Sequence, residues 1–420
     1  MTLSDNSLRW AWPAALGCFV LAGATGSLLR FGMLYGYPAG LQMADVRHAH
    51  SHLMYFGWAT PALMALMATY LPKLTGRERP VGFPAVIGAT FVAGLLAYGP
   101  FLLFGYRPVT VAGAQVPLSM IGAGLNMVVW YGFVVLYVRA TRGAPRHHPL
   151  RLWDAALGFL VLASLGAWGL AGSTLLGLRD PLWSLALTHL FLDLFADGWF
   201  VLALLGLAYA AHPRAAAHPA AGWGENLLVI GLPLTFALSL PAGALPPGVR
   251  VLAGIAGALV AAGLAANLWA LWPAVRRQGR KVWLAPLFFL GLKAIAELGI
   301  SFPAGAQWAS RMALRVSYLH WLLLGFVTLG LVAAAAGPWG RRATVGRRAF
   351  TAAALLLLLS LIPLTHLWPA GWGGRWALVT ASWATVGPVV AAGVMLAGSV
   401  RGGRTTQPVR SSQPQLQQVE

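Results

Sequence analysis

The chain has 420 residues, of which 58% are apolar and only 9% are charged, and its mean hydropathy is +0.70. A soluble globular domain carries about a quarter charged residues, so this composition excludes an ordinary soluble protein and indicates a membrane protein. The single cysteine, Cys18, excludes a disulfide framework and a cysteine metal cluster, so any metal chemistry has to come from histidine and carboxylate.

Apolar runs long enough to cross a bilayer, roughly 20 residues each, recur along the chain between short polar connections. They predict an all-α polytopic membrane protein with about twelve transmembrane helices, in one domain of residues 1–400. The last stretch, 401–420, lacks apolar periodicity and is predicted to be a disordered cytoplasmic tail. The predicted spans are 11–34, 46–71, 81–104, 117–138, 152–176, 183–210, 225–244, 249–273, 282–303, 311–336, 349–368 and 375–398.

The basic residues that give the formal net charge of +19 are distributed asymmetrically along the chain. Most of the 29 Lys and Arg residues fall in loops that share one side of the membrane if both termini lie on that side. This asymmetry follows the positive-inside rule and predicts a multi-pass protein of a bacterial-type inner (cytoplasmic) membrane with both termini cytoplasmic. The basic charge is therefore a feature of topology, and no nucleic-acid partner is expected.

The entrance of the second span carries three histidines, in the segment DVRHAHSHLMYFGWATPAL. Successive helical residues turn by about 100°, so His48 and His52 share one face while His50 points almost oppositely. The first face offers an i, i+4 pair that could bind a metal or simply solvate the helix entrance. The second face offers a single imidazole suited to an axial haem ligand, and Met54 beside it could line a porphyrin or belong to ordinary packing.

Spans 6 and 10 deliver histidines to the same depth as span 2. At about 1.5 Å per residue, His50, His189 and His320 all fall roughly 8 to 14 Å below the outer surface. An intramembrane histidine is a functional candidate by default, and a bond to a neighbouring helix is the alternative for each. Asp193 and Asp197 follow His189 along one helical stripe, where they could bind a metal or carry protons, or could solvate each other and a neighbouring Arg or Trp.

Further charged residues lie in spans 9 and 10. Lys293 and Glu297 have the i, i+4 spacing of an ion pair, which could serve a proton path or could fix span 9 against a neighbour. Arg311 and Arg315 lie on the outer side of His320, where guanidinium groups could hold haem propionates. Snorkelling of the two arginines to the interface is the alternative.

These motifs resemble the catalytic subunit of the haem–copper oxidase superfamily (cytochrome c oxidase subunit I), especially its nitric oxide reductase branch. The resemblance implies a bundle of about twelve helices. The span 1 segment GATGSLLR is similar to the family's first helix, with Arg30 at the matching arginine. In span 2 the match implies His50 as the low-spin haem ligand, with Met54 and Pro61 in register and Arg47 three residues before the histidine, as in the reductases.

Spans 10 and 6 extend the resemblance. The family carries His-x-His in span 10, and the segment SYLHWLLLGFVTLG keeps His320, the low-spin ligand, and Gly325, but has Tyr318 at the position of the high-spin ligand. The span 6 segment LTHLFLDLFADGWF is similar to the reductase segment in which a metal-ligating histidine precedes a glutamate. That match implies a metal role for His189, with Asp193 in place of the glutamate.

The outer end of span 7 departs from the family. The second metal, copper or non-haem iron, needs a His-His pair there, whereas this chain reads LTFALSLPAGALPPG. A standard binuclear centre is therefore not expected. The resemblance instead implies one low-spin haem b held by His50 and His320. Such a haem would transfer electrons from a donor such as a cytochrome c, a cupredoxin or a partner subunit.

Two further functions stay open, and with them the question whether the protein is an oxidoreductase. One is a residual oxygen or nitric oxide reductase, in which Tyr318 as a tyrosinate holds a high-spin haem facing a metal on His189 and Asp193. The other is a non-catalytic haem or copper protein for nitric oxide response or oxidase assembly.

Overall fold

Long apolar helices make up most of the molecule. The computed structural model describes residues 6–178, 180–277 and 281–401, so nearly all of the predicted tail lies outside the described residues. Within these ranges, eleven helices are long and apolar enough to cross a membrane, and a further, more polar helix follows the first of them. The prediction of an all-α polytopic membrane protein is confirmed.

Twelve long helices, numbered in chain order, correspond to the twelve predicted spans of the described chain. They are α1 (Ala11–Tyr35), α2 (Met43–Leu53, Met54–Ala59 and Thr60–Thr75 in succession), α3 (Phe83–Phe104), α4 (Leu118–Thr141), α5 (His148–Leu175), α6 (Pro181–Ala211), α7 (Pro219–Ser239), α8 (Pro247–Arg277), α9 (Lys281–Ile300), α10 (Arg315–Ala335), α11 (Arg347–Leu364) and α12 (Arg375–Arg401).

Short elements lie in the connections. They are the single turns Asn6–Leu8, Pro38–Gly40, Pro213–Ala216, Ala242–Ala244, Gly340–Ala343 and Ala370–Trp372, the helix Pro303–Arg311, and the strands β1 (Val109–Val111) and β2 (Ala114–Val116).

A β-hairpin and a short helix in these connections were not predicted from the sequence. Strands β1 and β2 pair antiparallel through a two-residue turn in which Ala112 and Gly113 both have positive φ, 49° and 84°, as a tight hairpin requires. The helix Pro303–Arg311 begins with proline at its first position, where the missing N–H costs nothing. Arg311 therefore ends a separate helix, and α10 begins at Arg315 rather than at residue 311.

Three helices contain a π-helical segment near their middle. These segments are Met54–Ala59 in α2, Leu194–Val201 in α6 and Trp321–Thr328 in α10, and each begins within five residues after one of the three intramembrane histidines. In the most apolar stretch of α6 and α10, 72% and 67% of the residues are buried, against 28 to 44% in the other candidate spans. The histidine-bearing helices α6 and α10 are thus interior helices.

The interior helices are fixed to one another by buried tryptophans. Trp58 in the π segment of α2 donates to Thr328 of α10 at 3.1 Å, and Trp199 in the π segment of α6 donates to Thr60 of α2 at 3.3 Å. Helices α2, α6 and α10 also contact each other directly. Buried indole N–H groups need an acceptor, so these bonds hold the three helices in register at the depth of the site.

Candidate functional site

A cavity of about 360 Å³ opens among α1, α2, α10, α11 and α12. Its volume falls within the range of about 300 to 1,000 Å³ that is usual for cofactor sites. Most of the wall is apolar and is built from five helices. The apolar lining includes Phe19, Leu29, Met33, Met54, Trp58, Leu319, Leu323, Val327, Leu357 and Val389.

His50 of α2 and His320 of α10 both line this cavity. Nδ1 of His50 lies 2.7 Å from the Ala22 carbonyl oxygen, and Nδ1 of His320 lies 2.8 Å from the Val316 carbonyl oxygen. A carbonyl only accepts hydrogen bonds, so each Nδ1 carries the proton and each Nε2 keeps a lone pair. Neither Nε2 makes a hydrogen bond within the described part of the chain, so both are suited to bind a metal.

Glycine makes room for the His50 ring. A Cβ atom added at Gly26 of α1 would lie 2.7 Å from Cε1 and 2.9 Å from Nδ1 of His50. Such contacts are too short for a relaxed structure, so any side chain at this position would displace the imidazole. The glycine of the span 1 motif thus lets α1 approach the ring and accept its Nδ1–H through Ala22.

Two arginines line the cavity, but they are not the pair predicted beside His320. Arg47 of α2 and Arg30 of α1 form part of the wall, whereas Arg311 and Arg315 are exposed and lie outside the lining. The sequence signal for Arg30 was its place in the span 1 motif. Tyr37, outside the helices, lies near Arg30: burial raises the pKa of Tyr37, and the charge of Arg30 lowers it.

Tyr318 lies on the other side of α10 from His320 and faces a buried ion cluster. Its hydroxyl oxygen accepts a hydrogen bond of 2.8 Å from Nζ of Lys293, and Nζ also lies 3.0 Å from Asp197 and 3.0 Å from Glu297. We refer to these four residues as the lysine cluster. Lys293 and Glu297 are each only 3% exposed, so the lysine is surrounded by its partners rather than by water.

His189 and Asp193 are close together, but the pair supplies few ligands for a metal ion. Nδ1 of His189 is 3.4 Å from Oδ2 of Asp193, and the same oxygen accepts a hydrogen bond of 2.9 Å from Ser239 of α7. Among the residues that the structure describes, no group of three or more His, Cys, Asp and Glu side chains is placed to hold a metal ion. Asp197, the next acidic residue of the stripe, is part of the lysine cluster.

The pair His48 and His52 faces aromatic rings of the α3–α4 connection and of α3. The His52 ring stacks on Phe101 with centroids 3.8 Å apart, and its Nε2 lies 3.4 Å from the Tyr106 hydroxyl. The His48 ring meets Tyr106 edge-on at 4.8 Å. These contacts pack the two imidazoles between α2 and its neighbour.

The sequence did not reveal a second buried ion cluster, at the opposite end of the bundle. Glu225 of α7 accepts hydrogen bonds of 2.8 to 3.1 Å from Arg151 of α5, and Nδ1 of His148 lies 2.8 Å from the same carboxylate. Glu225 is far from Arg151 and His148 in the sequence, so no helical spacing relates them and this contact could not be predicted. It fixes α5 to α7.

One of three comparisons with known proteins gives a match, and that match concerns the fold. No protein-family model matches the sequence, and a search of curated proteins gives no match. Among solved structures, the chain is similar to one described as a heme-copper terminal oxidase dimer, with a TM-score of 0.69 and 12% sequence identity. The match covers 97% of this chain and 86% of that chain. The predicted resemblance is thus confirmed at the level of the fold, which this chain shares with the matched chain.

Proposed function

We propose that the protein is a membrane electron-transfer protein that binds one haem b in the cavity between α1, α2, α10, α11 and α12. His50 and His320 are the proposed axial ligands. The observation that carries the proposal is that two imidazoles from separate helices line one cavity, each with Nδ1 bound to a carbonyl and Nε2 free. Nδ1–H bonds of this kind orient metal-ligating histidines and strengthen them as ligands.

The remaining wall suits a porphyrin. Apolar side chains and the small residue Gly26 leave room for a flat, largely apolar group and exclude water from it. Arg30 and Arg47 supply positive charge in the same wall, where they would pair with the propionates. A haem iron with both axial positions filled exchanges single electrons and leaves no position for a gas.

The lysine cluster favours this function over a residual gas reductase. In a reductase, Tyr318 would hold a second haem, but its hydroxyl is engaged by Lys293, which is itself paired with Asp197 and Glu297. Freeing Tyr318 to bind iron would remove one hydrogen bond from the buried ammonium of Lys293. We further propose an inner membrane with both termini cytoplasmic, and an outer-side donor such as a cytochrome c, a cupredoxin or a partner subunit.

The test is spectroscopic and uses single substitutions. The purified protein is expected to show one haem per chain with the low-spin electron paramagnetic resonance signal of two axial histidines. His50→Ala and His320→Ala are each expected to abolish that signal and to lower the haem content. His366→Ala is the matched control, because Nδ1 of His366 also lies 2.7 Å from a carbonyl oxygen, that of Arg311, outside the cavity lining.

Two outcomes would contradict the proposal. One is an unchanged haem content and low-spin signal in both His50→Ala and His320→Ala. The other is a native protein with a high-spin haem and a second iron or copper per chain, which would favour the reductase.

A further inference from the structure

A second cavity, of about 230 Å³, lies at the end of the bundle that carries most of the Lys and Arg residues. It opens between the last turns of α8 and the connection from α6 to α7. Its polar lining consists of Arg214, His218 and Arg277, and its floor is formed by small apolar residues of α8 and of the connection. This basic cavity is on the far side of the molecule from His189 and Asp193, at the other end of α6.

The charge of the basic cavity is not balanced by acid. No Asp or Glu lines it, and Arg214 makes no hydrogen bond or ion pair within the described residues. The guanidinium of Arg277 donates only to its own helix, from Nε to the Pro273 carbonyl at 3.3 Å. The carboxylate of α7 at this end, Glu225, is already held by Arg151. Two guanidinium groups thus share one cavity without a counter-ion from the described chain.

The third polar residue presents a donor. Nδ1 of His218 accepts a hydrogen bond of 3.2 Å from the Ala220 amide, so the hydrogen of a neutral His218 ring is on Nε2. The cavity is therefore lined by N–H donors of three side chains, a set that matches the oxygens of a phosphate group.

Exposed tryptophans mark the membrane interface beside the cavity. Trp269 of α8 is 67% exposed and meets the His218 ring at 5.2 Å, and Trp223 of α7 is 73% exposed. Tryptophan is enriched where acyl chains give way to headgroups, so these side chains place the cavity at headgroup depth. A lipid in this position would lay its phosphate among the arginines and its chains along the indoles.

We propose that the basic cavity binds the headgroup phosphate of an anionic phospholipid. The phosphodiester would pair with the guanidinium groups of Arg214 and Arg277 and accept the Nε2–H of His218. Basic pockets between transmembrane helices bind anionic headgroups for the same reason. A free phosphate would satisfy the arginines equally well but would gain nothing from the exposed tryptophans. This proposal does not depend on haem binding.

Native mass spectrometry of the full chain, purified in detergent and titrated with defined lipids, tests the proposal. The native protein is expected to bind phosphatidylglycerol more tightly than phosphatidylcholine. Each of Arg214→Gln and Arg277→Gln is expected to weaken phosphatidylglycerol binding about fivefold, and the double variant about twentyfold. Arg276→Gln is the matched control, since Arg276 is the exposed neighbour of Arg277 on α8 but does not line the cavity. It is expected to change binding less than twofold.

Three results would overturn the proposal. The double variant could bind phosphatidylglycerol as the native protein does. Arg276→Gln could weaken binding as much as Arg277→Gln, which would indicate a diffuse surface charge rather than a site. Finally, inorganic phosphate at millimolar concentration could displace phosphatidylglycerol completely, which would identify a free-anion site. Thermal unfolding of each variant, expected to match the native protein because the substituted side chains are exposed, confirms that folded protein is compared.

Discussion

Helix α10 presents two different environments on its two sides, and the difference indicates where a cofactor belongs. On one side, His320 faces a cavity of about 360 Å³ shared with His50, and neither Nε2 has a protein partner among the described residues. On the other side, Tyr318 meets Lys293, whose ammonium lies within 3.0 Å of three oxygens. Polar groups inside an apolar bundle either form hydrogen bonds and ion pairs with each other or remain available to bind a ligand.

The two sides also differ in how they tolerate change. With the proposed haem bound in the cavity, losing one wall residue should weaken haem binding and leave the fold intact. The lysine cluster is stabilised by its own charges, so losing one member should destabilise the fold and leave the cavity intact. Three substitutions test this contrast, in order of decreasing effect.

Lys293→Met should have the largest effect on folding. It leaves the Asp197 and Glu297 carboxylates buried without their cation, and breaking a buried pair costs about 3–5 kcal/mol of stability. Thermal unfolding in detergent measures this as a lower midpoint. Lys293→Met/Glu297→Gln should recover part of the loss, because one buried charge is removed with the lysine.

The haem signal of the folded fraction is the control for this experiment. It should match that of the native protein in both variants. An unchanged unfolding midpoint in Lys293→Met would show that water, rather than Lys293, solvates the two carboxylates.

Arg47→Gln should have a medium effect, and only on the cofactor. A hydrogen bond to a charged group contributes about 1.5–3 kcal/mol, so loss of the Arg47 guanidinium from the cavity wall should weaken haem retention by about tenfold or more. Haem transfer to a competing apo-protein measures the change. Arg311→Gln is the control at an exposed position outside the lining and should retain haem normally. Equal effects of Arg47→Gln and Arg311→Gln would support the sequence prediction that Arg311 holds a haem propionate.

Tyr318→Phe should have the smallest effect. It removes one hydroxyl that accepts a 2.8 Å hydrogen bond from the charged Lys293, and the cost should fall at the lower end of about 1.5–3 kcal/mol because the lysine keeps both carboxylates. Absorption and paramagnetic resonance spectra should be unchanged, since Tyr318 does not line the cavity. Loss of a spectral band in this variant would instead identify Tyr318 as an iron ligand.

Features that depend on neighbouring residues could be predicted well. The pair Lys293 and Glu297 follows from i, i+4 spacing, and the placement of His50 opposite His48 and His52 follows from the turn of about 100° per residue. The structure places Lys293 Nζ 3.0 Å from Glu297, and of these three histidines it places only His50 on the cavity. The π-helical segments, in contrast, could not be predicted, because the 3.6-residue period of the apolar residues carries no signal for them.

Two contacts that join distant helices could not be predicted from residue spacing. Asp197 was assigned to the stripe of His189, yet it lies 3.0 Å from Lys293 of α9. Arg30, rather than Arg311, lines the cavity, because α10 begins only after the separate helix Pro303–Arg311. Both outcomes depend on which helix faces are in contact and on how far the helices are shifted along their axes relative to each other.

The sequence by itself determined the membrane-spanning helices and which residues share a face of each helix. Apolar length and the 3.6-residue period are local properties, so they can be read from the chain without its fold. Only the tertiary structure decided that Arg30 lines the cavity of His50 and His320, and that Lys293 also contacts Asp197 and Tyr318. Contacts between helices depend on how side chains interlock across crossings, and that complementarity involves residues far apart in the chain.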